Sequence, residues 1–471
     1  MAKVLFFGAG ATHRGVKAWL PVAVELRRFG VAPEFVLDSS CEKVWLDRLQ
    51  GEEIEFYDLE KDYQSQVFNT TLMRKICGYA LAKLQKIKIV NTWLIVRRLF
   101  KQSCWVLRDR RPQLVVLMTG TTLLGISVTR AAQRQGVPVI LLPLAINSPP
   151  NSKAMHRVET ARSLAVSEMT GFLRAVPWLR NRFGLEYYGY YIAFYPIELA
   201  WVLFCHGVLP RNGFSHANGG EKIIGCANTM DRARLMEEGV KREKITITGW
   251  THWDRLGEKL SNKKHLKAEF FRAHSIHSNA KLVTVNPPIL GHYGIIDMQR
   301  QADYVETIFK QINAVNGCQI VCSIHPHKDR SRIYAQYSRL FGQYNVISAE
   351  NYDIEDLITF SDLYITEITS TLSSAIGCEI PTILIVYTDY MANQVIATRY
   401  FADQKSRLEN DFIAVVDGLD NIKPEIRRWC GNDGHTSRAI ESHKKDRLKK
   451  EWISLDEQCI ERTAALIMKE I

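Results

Sequence analysis

Hydrophobic positions in this chain gather into short uninterrupted runs, and the stretches between them carry apolar residues at helical spacing. Residues 4–7, 33–37, 114–118, 137–142, 222–226, 244–248, 281–285, 319–324, 363–365 and 382–386 read as strands, since parallel strands covered on both faces lose the alternation of half-exposed ones. Helical periodicity over 16–29, 230–238, 301–315 and 354–360, and up to residue 135, supplies the crossovers. Strand, loop, helix and strand in that order make a parallel sheet. The clearest unit is 361–382, SDLYITEITSTLSSAIGCEIPT. An apolar strand enters a polar turn, a helix leaves from about residue 372, Gly377 stops it, and Pro381 opens the next strand.

The rhythm is lost between 147 and 212. Pro149-Pro150 opens a long connection, 159–174 reads as helical, and 186–210 is the aromatic run EYYGYYIAFYPIELAWVLFCHGVLP. That run has the length of a membrane span, but Gly189, Pro196, Glu198 and His206 interrupt it, so a buried or interfacial helix pair is expected. After a charged helix at 261–273 the strand pattern restarts. The chain therefore divides into an amino-terminal α/β domain at 1–262 with helical insertions, a second at 263–420 and a helical tail at 421–471. No internal repeat or low-complexity segment is present.

The loops after the strands carry the candidate chemistry, because ligands of open parallel sheets sit outside the carboxyl ends of their strands. Hydroxyls on Thr369, Ser370, Thr371, Ser373 and Ser374 surround a helix start, where unpaired N–H groups favour an anion; simple capping by Ser370 or Thr371 gives the same pattern. Strand 319–324 ends in His325-Pro326-His327-Lys328, two imidazoles and an ammonium able to donate to phosphate oxygens. Adjacent parallel strands would bring these loops to one edge. Near the amino terminus, Gly8-Ala9-Gly10-Ala11-Thr12-His13-Arg14-Gly15 joins a strand to a helix. Its spacing is not GxGxxG, so a tight turn explains its glycines as well as a dinucleotide does. His13 within it is an imidazole placed to act as a general base near neutral pH.

Composition narrows the classes. With 471 residues, 46% of them hydrophobic, the chain can bury two cores. A net charge of +11 fits an anionic partner. Nothing resembling a nucleic-acid-binding motif accompanies that charge, so nucleic acid is not expected. Ten scattered cysteines without paired CxxC spacing argue against a zinc site or a disulfide framework and for a reducing cytosol. Lys3 leads directly into a strand rather than a signal peptide, which also fits a cytoplasmic chain. Residues 72–111 interleave Lys83, Lys86, Lys88, Arg97, Arg98, Lys101, Arg108, Arg110 and Arg111 with Trp93, Leu94, Ile95, Phe100 and Trp105. Such a face can lie on the anionic inner surface of the plasma membrane, or simply be solvated.

The order of these motifs resembles nucleotide-sugar glycosyltransferases of the GT-B fold: a Gly-rich first loop with a His, then Ile247-Thr248-Gly249-Trp250-Thr251-His252-Trp253-Asp254, then His325-Pro326, then Glu367 to Ser374 with Gly377 and Pro381. The likeness covers about residues 1–420 and is nearest to bacterial surface-polysaccharide and glycerophosphate-type transferases. It implies two Rossmann-like domains facing across a cleft, with the acceptor, a glycan or lipid-linked chain, mainly on the first, and a segment after Tyr390 that can cross back to the first domain. The donor, a UDP- or CMP-linked sugar, would lie on the second, held by His325, Pro326, His327, Lys328, Thr369, Ser370, Thr371, Ser373, Ser374 and Gly249. The Glu that many retaining members place after the sheet to hold the ribose is lacking unless Glu367 or Glu379 serves. His13 would remove the acceptor proton, with Asp38 or Glu168 as substitutes. Inverting and retaining chemistry both fit. No DxD-like motif stands ready for a diphosphate-bound cation, so neither metal nor cofactor is expected. The skeleton is also similar to non-hydrolysing UDP-N-acetylglucosamine 2-epimerases, but 369–374 lacks their Ser-Gly-Gly and paired acids. A non-catalytic nucleotide-binding relative would keep the donor loops and dispense with His13.

Overall fold

The computed structural model describes residues 1–8, 12–37, 41, 43–59, 88–142, 181–187, 190–210, 212, 213, 215, 217, 219–288, 290–291, 296–324, 330–367, 369, 371–389, 394–409, 412–430 and 456–471. In chain order its elements are β1 (Ala2–Phe7), α1 (Thr12–Arg28), β2 (Val31–Leu37), α2 (Lys43–Gly51), β3 (Glu55–Asp58), α3 (Lys88–Arg110), β4 (Leu114–Leu117), α4 (Leu123–Gln135), β5 (Val139–Leu141), β6 (Gly184–Tyr187), β7 (Tyr190–Ala193), α5 (Ile197–Cys205), β8 (Ile223–Cys226), α6 (Thr229–Glu237) and β9 (Ile245–Ile247). There follow α7 (His252–Ser261), α8 (Lys263–Ala273), β10 (Lys281–Val285), α9 (Met298–Asn313), β11 (Cys318–Cys322), α10 (Arg330–Gln343), β12 (Ile347–Ser348), α11 (Ile354–Phe360), β13 (Leu363–Thr366), α12 (Thr371–Gly377), β14 (Thr382–Val386), α13 (Gln394–Leu408), β15 (Ile413–Asp417), α14 (Ile422–Cys430) and α15 (Cys459–Glu470).

These elements form two compact units, Met1–His252 with Gln458–Ile471, and Trp253–Glu457. The first contains a seven-stranded sheet in the order β3-β2-β1-β4-β5-β8-β9, the second a six-stranded sheet in the order β12-β11-β10-β13-β14-β15. Every pairing in both is parallel. The apolar runs are central strands, and Val4–Phe7, Leu114–Leu117 and Thr382–Val386 are buried throughout, as helices on both faces require. Residue 262 lies between α7 and α8, within the second unit. Of the expected tail, 421–457 belongs to the second unit and 458–471 to the first.

In the first unit Val16, Trp19, Val22, Ala23 and Leu26 of α1 pack with Ala464, Leu466 and Ile467 of α15, so the last helix of the chain completes the first core. The expectation of a helix pair at 186–210 is corrected. Residues 184–187 and 190–193 pair antiparallel as β6 and β7, with Tyr187 opposite Tyr190, and among the described residues of this run only 197–205 is helical. Tyrosine and isoleucine favour strands, and Pro196, which ends the hairpin segment, suits a helix entry. Among the described residues no helix is long and apolar enough to cross a membrane.

In the second unit the core gathers Val283, Val285, Ile308, Phe309, Ile320, Ile365, Ile383 and Ile385 on one face of the sheet. The other face is covered by Phe270, Phe271, Leu357 and Phe360.

Candidate donor site

Each sheet reverses its strand order once. In the second unit β10, β11 and β12 build outwards in one direction and β13, β14 and β15 in the other, so the switch lies between β10 and β13. Loops diverging from such a point leave an open crevice at the carboxyl edge. Ser323 N donates to Val285 O at 2.9 Å, and Asn286 N to Ile365 O at 2.8 Å. The chain after β11, the Asn286-Pro287-Pro288 turn and the Glu367 loop therefore leave the sheet at one level. The strands leading to His325 and Thr369 share this sheet but are not adjacent, because β10 separates them; two strand spacings amount to roughly 10 Å. His325, Pro326, His327, Lys328 and Ser370 lie outside the described residues.

Glu367 follows β13 directly. Burial pushes its carboxyl up to about 7, although part of its surface stays open. No hydrogen bond or ion pair joins it to a described residue. It lies near Tyr364 and Tyr387, whose hydroxyls it pushes up after the larger effect of burial. Thr369 Oγ1 accepts from Thr371 N at 3.2 Å and sits 3.1 Å from Thr371 Oγ1, which is 2.6 Å from Tyr364 Oη. The Thr369 side chain thus caps α12, as Ser and Thr commonly do. Ser373 and Ser374 are fully buried. Ser374 Oγ donates to Glu355 Oε1 at 3.3 Å, so these two hydroxyls face protein, and their expected contact with a phosphate is replaced by helix packing.

A neighbouring cluster was not singled out from the sequence. Asp389, after β14, accepts from Arg300 Nη2 at 2.8 Å and from Tyr304 Oη, and Tyr304 stacks on Tyr387 with centroids 5.2 Å apart. Burial and Asp389 together push the Tyr304 hydroxyl well up. The available signal was the strand at 382–386 ending in Tyr-Thr-Asp, the same strand-to-loop transition used to find Glu367.

In the first unit the switch falls between β1 and β4. His13 belongs to the first turn of α1; its side chain, Asp38 and Glu168 lie outside the described residues. After β4, Thr122 Oγ1 accepts from Gly125 N at 3.1 Å, capping α4, and Tyr195 Oη donates to Thr121 O at 2.8 Å. A Cβ on Gly125 would stand 2.1 Å from Thr119 O, so only glycine lets α4 approach this loop. Gly249 has φ +75°, and a Cβ there would meet Cys459 Sγ at 2.3 Å. Packing of α15 accounts for that glycine. A cleft of about 20 Å³ lies beside Thr248, Gly249 and His252. A larger cavity of about 470 Å³, lined by Arg130, Arg182, Ser215 and Lys244, opens along α4 and beside the start of β8.

No family model matches the chain, and no curated protein matches it. Solved structures do. UDP-GlcNAc 2-epimerase from Neisseria meningitidis, bound to UDP-GlcNAc, aligns over 100% of this chain and 99% of its own at 14% identity and a TM-score of 0.51. A glycosyltransferase from Rickettsia africae ESF-5 aligns over 100% and 98% at 11% identity and 0.52. The glycotransferase of kitacinnamycin aligns over 100% and 99% at 13% identity and 0.53. The chain has the GT-B fold.

At these identities the likeness fixes the architecture alone, and the roles of residues rest on this chain's own chemistry. In this GT-B chain the second sheet presents, at its switch point, a carboxyl that can carry or release a proton near neutral pH. Beside it stand tyrosine hydroxyls and a capped helix, and the chain leading to two histidines and a lysine leaves the same edge of the sheet two strands away. Such a setting can receive an anion whose charge rises as a bond breaks.

Proposed function

We propose that this chain is a GT-B glycosyltransferase that moves a sugar from a nucleotide-activated donor, UDP- or CMP-linked, to a glycan or lipid-linked acceptor in cell-surface polysaccharide synthesis. The observation that carries this reading is Glu367 at the switch point of the second sheet, with burial holding its carboxyl near 7. A carboxylate beside a diphosphate would repel it; a protonated carboxyl donates a hydrogen bond instead. The incoming donor therefore draws Glu367 into its protonated form. His325 and Lys328 add charge-assisted donors to the departing phosphate, the work done elsewhere by a metal ion, so the transfer is metal-independent. Thr369 and Thr371 shape the loop, while backbone N–H groups there contribute the remaining donors. On the first unit, His13 removes the proton of the acceptor hydroxyl. The chain works in the cytoplasm, in peripheral contact with the anionic inner face of the plasma membrane.

The epimerase reading has one observation in its favour, the presence of epimerases among the similar structures. Against it, residues 369–374 read Thr-Ser-Thr-Leu-Ser-Ser and lack the Ser-Gly-Gly and paired acids of those epimerases. Calorimetric titration with UDP, CMP, GDP and their sugars identifies the donor. Incubation of the chosen nucleotide sugar without acceptor, followed by proton NMR, then separates the readings. Transfer predicts an unchanged sugar until an acceptor is added; a new sugar epimer without acceptor would replace the proposal by the epimerase. Absence of nucleotide binding would reject both.

A further inference from the structure

We propose that the cleft between α3, α4 and the end of α5 binds the phosphate headgroup of an anionic membrane lipid. The cleft holds about 70 Å³, room for a phosphate group, and is lined by Arg97, Arg130, Arg134, His206, Phe100 and Ser127 among others, with no carboxylate in its lining. No described carboxylate forms an ion pair with any of those arginines. Guanidinium groups gathered in this way repel one another until an anion enters, and their planar forks match phosphate oxygens. Two of them are held in place by rings: Arg97 lies 4.8 Å from the centroid of Trp93 and Arg134 4.8 Å from that of Phe100. Trp93 in turn stacks on His206, with centroids 6.4 Å apart.

The apolar surface beside these cations identifies the source of the phosphate. Ile89, Trp93 and Ile95 on α3 are 44%, 36% and 44% exposed. Ile89, Trp93 and Arg97 follow one another at four-residue spacing, so they form one ridge that ends at the cleft. A soluble phosphate gains nothing from exposed isoleucine and tryptophan, whereas a bilayer surface takes the rings and methyls into its interface and offers the headgroup to the arginines. This inference rests on the reading that the chain meets an anionic membrane, and it names the site of that contact.

The test is co-sedimentation of the full chain with phosphatidylcholine vesicles that contain phosphatidylglycerol. Arg97→Gln with Arg130→Gln and Arg134→Gln is expected to lower partitioning by roughly one to two orders of magnitude. The control Lys264→Gln with Arg272→Gln and Lys310→Gln removes the same charge from exposed positions of the second unit and should change it less than about threefold. Trp93→Ala should weaken binding with no change in charge. If the glutamine variant melts early, Arg97→Lys with Arg130→Lys and Arg134→Lys takes its place, and a loss of roughly threefold or more is expected because the forks are gone. Equal losses in cleft and control variants would overturn the site and leave membrane contact standing. A wild-type chain that ignores these vesicles would overturn both. Stabilisation by inorganic phosphate that depends on the arginines, without vesicle binding, would make this a soluble-anion site and overturn the lipid.

Discussion

Glu367 illustrates how far one residue can be read from its type. A glutamate after an apolar strand was visible as a candidate for the donor site; its proton affinity was not, since that depends on residues distant in sequence, Tyr387 among them, packing around the carboxyl. The shift makes a signed prediction. The folded state holds this proton up to about 7, against an ordinary value of 4.5, so it binds more protons than the unfolded chain in that window, and stability falls as pH rises through it. Glu367→Gln should therefore raise the apparent Tm at pH 8 by about 1–3 °C and leave it nearly unchanged at pH 4. Donor affinity in the wild-type chain should drop between pH 6 and pH 8 as the carboxyl ionises, with a shallower drop in the glutamine variant. Titrations with parallel pH profiles would remove Glu367 from the donor site. His325 is tested separately. Losing a hydrogen bond to a charged group costs about 1.5–3 kcal/mol, so His325→Ala should weaken nucleotide binding roughly ten- to a hundred-fold, with wild-type affinity in the folded variant counting against it.

Elements were legible where the sequence had a period or a clear boundary. The central strands are short apolar runs, and α1, α9 and α11 follow helical spacing, so all of these were placed to within a few residues. The hairpin β6–β7 was not, because its aromatic run has neither period, and length with hydrophobicity alone points equally to a helix. Glycines carry information at this scale too. Gly249 read as part of a donor motif, whereas its left-handed backbone and its contact with α15 show a packing requirement at the end of β9. Arg462 Nε donates to Thr248 O at 3.1 Å in the same junction. Gly249→Ala should then cost about 2 kcal/mol or more in stability. Nucleotide affinity in the fraction still folded should be unchanged; a selective loss of affinity with an unaltered melting temperature would return Gly249 to the donor site.

At the scale of the whole molecule, the sequence announced two parallel sheets by losing its strand rhythm and resuming it, and the structure has two. That the end of the chain returns to the first core was expected from the GT-B resemblance, not from the helical pattern itself, and Gln458–Ile471 does return there. The helical pattern of the tail is as compatible with an independent appendage, because amphipathicity shows that a face is buried and says nothing about against what. In the structure Cys459, Ala464, Leu466 and Ile467 are buried, the last three in one cluster with Trp19, Val22 and Leu26, and Lys222 pairs with Glu470 at 2.6 Å. The first unit is thus discontinuous in sequence, and the second, Trp253–Glu457, is continuous. A chain ending at residue 457 loses side chains worth about 1.5–3 kcal/mol each when fully buried, and uncovers their partners on α1. Its first unit should melt well below that of the full chain, or fail to fold, while the second keeps its transition. Scanning calorimetry, combined with limited proteolysis to assign each transition, reads this directly. A single transition shifted uniformly would mean that the units unfold together and α15 stabilises both. An unshifted profile would show that the buried face of α15 contributes nothing to the first core.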